Sequence, residues 1–167
     1  MSSSPPGGPP RSWPERCPII TGRAWAFGLD VTAELIVPPE RLADAAPERY
    51  LMTPIDPTFP ERLEPGDIIV GGGGFAAGAS DPRLVRAIID AGVAALVAFS
   101  FDATFARLAL AEGLIAVEVN ESLAIHTGAR LRVDLEGTRV VNLSSGDRYP
   151  IRNVSDAYLE RFRPRES

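Results

Sequence analysis

Apolar and polar positions change period along this chain, and each change marks an element. From Ile19 onward, RAWAFG alternates Ala24 and Ala26 with Trp25 and Phe27, a strand that enters a turn at Gly28. A second apolar run, ELIVPPERL, stops at Pro38-Pro39, which cannot continue a ladder and therefore opens a loop. The stretch ERYLMTPIDPTFPERLEPGD holds four prolines among polar residues and reads as an ordered loop with short helical turns.

The clearest unit follows. Ile68-Ile69-Val70 is a buried strand running into four consecutive glycines, and ASDPRLVRAIIDAG then starts a helix. Ser80 or Asp81 suits its N-cap and Pro82 its first position, while Leu84, Val85, Ile88 and Ile89 form the apolar stripe ahead of Gly92. VAALVAFS is another buried strand, so this strand, helix, strand unit predicts parallel pairing with a right-handed crossover. SFDATFARLALAEG supplies a second amphipathic helix that stops at Gly113, LIAVEV a further strand, and RLRVDLEG turning into RVVNLS a hairpin. VSDAYLERF is a short closing helix, and no internal repeat is visible.

Composition narrows what such a chain does. At 167 residues, with 45% hydrophobic and 23% charged, it is one domain's worth of soluble material. No apolar run approaches the roughly 18 residues that span a bilayer, which argues against a membrane role. All 17 basic residues are Arg, scattered among 22 acids, for a formal charge of -5. Nucleic-acid binding needs a concentrated positive surface, and this balance argues against it. The single Cys17 can neither close an intrachain disulfide nor hold a metal alone, which points to a reducing cytoplasm and to no cofactor bound by this chain. Residues 1–18, with six prolines among Ser and Gly, read as a disordered leader ahead of a domain at 19–167; Trp13 as the anchor of a docking arm is the alternative. His126, the only histidine, falls in the loop AIHTGARL and reads as solvent-exposed.

A strand delivering its end into a glycine-rich loop, with a helix just beyond, aims backbone N–H groups and a helix dipole at one point, where anions bind. GGGG matches neither the dinucleotide fingerprint nor the phosphate-loop pattern, and a tight turn under a packed sheet is the plainer reading of the glycines alone.

The order of motifs adds to this. FGLDVTAELIVPPERL, then DPTFPERLEPGDIIVGGGGFAAGASDPRLVRAI, then AGVAALVAFSFDATFARLALAEGLIAVEV resemble the swivel domain of the aconitase superfamily, in particular the small subunit of isopropylmalate dehydratase, over about residues 19–162. Pro65-Gly66-Asp67-Ile68-Ile69-Val70, Phe75 with Gly78, and Ser100-Phe101 followed by Phe105, Arg107 and Gly113-Leu114 carry the likeness. The resemblance implies an α/β fold, a swivelling β/β/α domain with a partly parallel mixed sheet or barrel flanked by helices. It implies an aconitase-type large subunit as partner, carrying a [4Fe-4S] cluster whose open iron is a Lewis acid toward a small hydroxy-acid substrate. A homo-oligomer is the expectation for the chain alone.

The family loop Gly-Ser-Ser-Arg-Glu offers a serine base and an arginine that clamps a substrate carboxylate. Its counterpart here is Gly78-Ala79-Ser80-Asp81-Pro82, with Ala79 at the base position and Asp81 at the arginine position. Replacing cation by anion turns attraction for a dicarboxylate into repulsion. Ser80 is the candidate displaced base, or an N-cap. Gly74, Phe75, Gly78, Ala79, Asp81, Arg83, Arg107 and Asp30 are the candidate substrate-binding positions, with Arg86 and Glu34 as neighbours. Two functions follow from the resemblance: a hydro-lyase small subunit acting on an altered substrate, or a catalytically degenerate partner that keeps only the fold.

Overall fold

The computed structural model describes residues 17–164, so the leader expected at 1–18 falls outside the described residues except for Cys17 and Pro18. Seven strands form one curled sheet in the order β4-β3-β2-β1-β5-β6-β7. Strands β1 (Ile20–Ala26), β2 (Ile68–Gly71), β3 (Ala95–Ala98) and β4 (Ile115–Glu118) run parallel, while β5 (Arg130–Asp134), β6 (Arg139–Asn142) and β7 (Arg148–Pro150) add an antiparallel meander to the other side of β1. This is the mixed α/β sheet that the sequence reading expects. The strand β7 is not foreseen there: three residues ending in Pro150 leave too little alternation to detect.

The two crossover helices explain themselves locally. In α3 (Pro82–Asp90) the side chain of Asp81 accepts a hydrogen bond from the Arg83 N–H, Pro82 occupies the first helical position, and Leu84, Val85, Ala87 and Ile88 face the sheet. In α4 (Ala103–Glu112) Asp102 accepts from the Phe105 N–H, and Gly113 ends the helix in the left-handed region at φ 89°. Each cap is worth about 1 kcal/mol. The helices pack beside each other on the outer face of the parallel strands, over a core that includes Ile69, Leu96, Phe75 and Phe105.

ELIVPPERL departs from a strand-like apolar run. It forms one helical turn, α1 (Ala33–Ile36), then a 3-10 turn at Pro39–Arg41. Pairing stops at a single parallel bridge between Thr32 and Ala77, where the Ala33 N–H donates to the Ala77 carbonyl at 2.9 Å, and the chain turns into a helix from there. The proline-rich connection is ordered, as expected, with a 3-10 turn at Pro47–Tyr50 and α2 (Phe59–Arg62). It lays Phe59, fully buried, edge-on against Trp25 and Phe27, with ring centroids 5.2 and 5.1 Å away.

Asp67 is the buried charge at the start of β2. Its Oδ2 accepts from Trp25 Nε1 at 2.7 Å, the Glu64 N–H at 2.9 Å and Arg23 at 3.2 Å, so the carboxylate is solvated by protein rather than water.

A second core fills the inside of the curl, where Ile68, Val97, Val117, Leu131 and Tyr149 meet α5 (Asp156–Phe162). Cys17 belongs to this core. Its thiol donates to the Leu159 carbonyl at 3.3 Å and its N–H to Glu136 at 2.9 Å, so Cys17 packs with the domain. The exposed edge of β4 is closed by side chains. Tyr158 Oη donates to the Ala116 carbonyl at 3.0 Å and accepts from its N–H at 2.9 Å, and Asn153 bridges Ala116 and Glu118 in the same way. These contacts satisfy the row of groups by which a bare edge recruits other strands. Among the described residues no helix is long and apolar enough to cross a membrane.

Candidate functional site

The loop from Gly71 to Asp81 leaves the C-terminal end of β2 and reaches α3 laced on both sides. On one side, Gly72 and Ala76 donate their N–H groups to the carbonyls of Gly28 and Val31 at 2.9 and 2.8 Å. On the other, Gly74 donates to Ser100 Oγ at 2.8 Å, Phe75 donates to the Ser100 carbonyl at 3.0 Å, and the Asp102 N–H returns a bond to the Phe75 carbonyl. Phe75, almost fully buried, stands edge-on to Phe101 and Phe105 at 5.8 and 6.1 Å.

Glycine is required where the chain crowds itself. A Cβ on Gly71 would fall on the Phe75 ring, and one on Gly72 would meet Leu29 Cδ2 at 2.8 Å. Gly74 and Gly78 take the left-handed region at φ 63° and 86°; Ala76 does so at φ 68° without glycine's freedom, a conformation costing about 1 kcal/mol.

Past this scaffold the loop forms one wall of a cleft of about 230 Å³. Gly78, Ala79, Ser80, Asp81 and Arg83 line it from the loop and from the start of α3. Ala33, Val37, Pro39 and Leu42 face them from α1 and the turn beyond, with Leu84 between and Glu34 at the rim. Apolar atoms thus make most of the enclosure, and charges sit at its mouth.

The charged pair at the mouth is specific. Asp81 Oδ1 accepts from the Arg83 N–H at 2.9 Å, while its Oδ2 accepts from Arg83 Nη2 at 2.7 Å and from Nε at 3.0 Å. Hydrogen bonds from the Arg83 side chain and backbone hold the Asp81 carboxyl below the usual carboxylate range, and the same contact raises Arg83 further. One carboxylate therefore occupies both the open N–H at the start of α3 and one edge of the nearest guanidinium.

The structure brings together some candidates and separates others. Gly78, Ala79, Ser80, Asp81 and Arg83 share the cleft. Ala79 is buried and presents only a methyl group, Ser80 is exposed on the rim, and the capping role open to either residue falls to Asp81. Gly74 and Phe75 lie behind the cleft and shape the loop. Asp30 is exposed, at φ 62°, in the loop that supports Val31 and does not line the cleft. Arg107 points elsewhere: it borders a separate groove of about 190 Å³ between α4 and Tyr158, and its Nη2 donates to Thr104 Oγ1 at 3.3 Å. Arg86 is held by Glu112 of α4 at 2.7 Å. His126 is exposed.

The wall formed by Ala33, Val37 and Leu42 is absent from the sequence-derived site, because its place opposite the loop depends on α1 folding back through the Ala33–Ala77 bond. Among the described residues no three His, Cys, Asp or Glu side chains converge as a metal ligand set. Cys17 sits in the second core, away from this cleft, so the residues present do not fit an iron–sulfur cluster as ligands.

No family model matches the chain. It is 37% identical over 145 residues to the 3-isopropylmalate dehydratase small subunit of Nautilia profundicola, covering 85% of this chain and 87% of that one. It is 38% identical over 133 residues to the isopropylmalate/citramalate isomerase small subunit of Methanocaldococcus jannaschii, covering 77% and 79%. A crystal structure of 3-isopropylmalate dehydratase from Methanocaldococcus jannaschii superposes with a TM-score of 0.78 at 32% identity, over 84% of this chain and 85% of that one. Relatives above 30% identity that span most of both chains, on the same fold, settle the lineage: this chain belongs to the family of 3-isopropylmalate dehydratase small subunits.

Proposed function

We propose that the chain is the small subunit of an isopropylmalate dehydratase-type hydro-lyase, working in the cytoplasm with an aconitase-type large subunit on a substrate other than isopropylmalate. The observation that carries this reading is the cleft at the start of α3, on the family's fold, with Asp81 and Arg83 paired at its mouth. A [4Fe-4S] cluster held by that partner would supply Lewis-acid chemistry at the substrate hydroxyl.

This chain's own residues do the rest. The apolar wall of Val37, Leu42 and Leu84 receives the variable arm of a small hydroxy acid and excludes water from it. Ser80, exposed at the rim one residue beyond Ala79, acts as the base in its alkoxide form, its own proton released to the water it faces: it takes the proton from carbon, and that C–H electron pair forms the double bond as the substrate hydroxyl leaves. The loop bonds to Val31 and Ser100 fix the backbone at Gly74–Ala76, four residues ahead of Ser80, and so set where the loop delivers it.

A second reading has its own observation. Ala79, buried at the base position, has no proton acceptor, which favours a partner that keeps the fold and lacks the chemistry.

One experiment separates the two. Co-expression with a candidate large subunit is expected to give a brown complex that hydrates or dehydrates a hydroxy acid, with Ser80→Ala lowering kcat by about 10²-fold or more at unchanged assembly. A colourless chain that never assembles overturns the subunit reading. A brown complex indifferent to Ser80→Ala supports the degenerate partner. In the same complex, Ala79→Ser with Asp81→Arg restores the family's loop chemistry and is expected to gain turnover of isopropylmalate.

A further inference from the structure

Three observations at the cleft point to the charge of what it holds. The start of α3, which draws anions in other proteins, already binds a carboxylate of this chain, because Asp81 Oδ1 accepts the Arg83 N–H at 2.9 Å. The guanidinium closest to the cleft spends its Nε and Nη2 edge on that same carboxylate. At the mouth one cation, Arg83, stands against two carboxylates, Asp81 and Glu34, over a floor of Val37, Leu42 and Leu84.

We infer that Asp81 is a resident anion that sets specificity: it occupies the position of a substrate carboxylate, so the cleft accepts a neutral, aliphatic arm and rejects an anionic one. The inference rests on the hydro-lyase reading for the identity of the ligand as a small hydroxy acid. It narrows the substrate class to hydroxy acids whose arm toward this subunit carries no second carboxylate. A second carboxylate brought to this mouth meets two negative charges and finds the helix N–H already bonded, whereas a branched aliphatic group meets only apolar wall. Asp81 is thus a specificity-determining residue, and Arg83 its counter-ion.

The test uses the full chain alone. Backbone amide shifts are followed by ¹H–¹⁵N NMR during titration with 3-methyl-1-butanol, a neutral aliphatic probe, and with succinate, a dicarboxylate, for the wild type and Asp81→Asn. Asparagine caps helices as well as aspartate does, so the variant keeps α3 while losing the charge. The wild type is expected to show shifts at Val37, Leu42 and Leu84 with the alcohol and none at Ser80–Leu84 with succinate. Asp81→Asn is expected to tighten succinate binding by about tenfold or more, the effect of removing one negative charge from the mouth. Succinate binding the wild type as well as the variant overturns the inference, and so does an alcohol that leaves the cleft signals unmoved. Because these titrations need no partner, failure to assemble with a large subunit would sink the hydro-lyase reading and leave this result standing.

Discussion

Glu136 joins Cys17 to Arg163, near the two ends of the described residues, and removing its charge has a calculable effect. It follows β5, and its two carboxylate oxygens each accept from Arg163, at 3.0 Å from Nε and 3.0 Å from Nη2, while Oε2 also accepts from the Cys17 N–H at 2.9 Å. The Arg163 guanidinium is the main cause, helped by the Cys17 N–H, that holds this carboxyl at about 2 against an ordinary 4.5. At full strength that displacement corresponds to roughly 3 kcal/mol. Solvent at Arg163, whose side chain is 29% exposed, screens it to about 2 kcal/mol. Since the folded value lies below the unfolded one, the stabilisation is complete above pH 4.5 and is lost as pH falls toward 2. Urea denaturation of wild type and Glu136→Gln is the assay. At neutral pH the variant is expected to be about 2 kcal/mol less stable, and by about pH 3 the gap shrinks to less than half. Other carboxylates titrate in both proteins and cancel in the difference. A gap that stays constant with pH, or one under about 0.5 kcal/mol at neutral pH, would refute the clasp as an electrostatic device.

Two further outcomes test other elements. Tyr158→Phe removes the hydroxyl that satisfies both Ala116 backbone groups on the β4 edge, and a loss of about 1–3 kcal/mol in thermal or urea unfolding is expected, with faster amide exchange at Ala116. Burial pushes the same phenol up to about 12, so this contribution is complete below the ordinary value of 10.0 and is lost as pH rises from there toward 12. Ala76→Gly relieves the left-handed strain at φ 68°, and a gain approaching 1 kcal/mol in the same unfolding measurement is expected, offset in part by the greater freedom of glycine in the unfolded chain.

The scaffold was legible because its signals are local. Pro82 after Asp81, the stripe from Leu84 to Ile88, and Gly113 at the end of α4 each fix a helix boundary through nearby contacts, and the structure places the elements there. Buried strands such as Ile68–Gly71 announce themselves by continuous apolar character, since both faces are covered. What the sequence hid depends on distant partners. The turn at Ala33–Ile36 is apolar enough to read as a strand and becomes helical because Ala77 holds its first N–H. Where Arg107 lies also depends on distant residues: it borders the groove between α4 and Tyr158, fifty-one residues on. Cys17 looks like part of a polar leader and is buried because Leu159 and Glu136, more than a hundred residues away, receive it.

The site itself shows why loop shape and loop chemistry separate. Gly71, Gly72, Gly74, Phe75 and Gly78 are constrained by sterics and backbone bonding, so their replacement would move the loop. Ala79, Ser80 and Asp81 face the cleft, and their side chains are free to change so long as α3 keeps a cap. Aspartate at position 81 satisfies that condition and sets a negative charge at the cleft. It also provides its own compensation, since the cap geometry brings the carboxylate within reach of Arg83 two residues on. An arginine at 81 would leave Arg83 unpaired, the cap empty and the mouth positive. The same backbone can thus carry either charge at position 81, and in this chain it presents a carboxylate paired with Arg83 at the cleft.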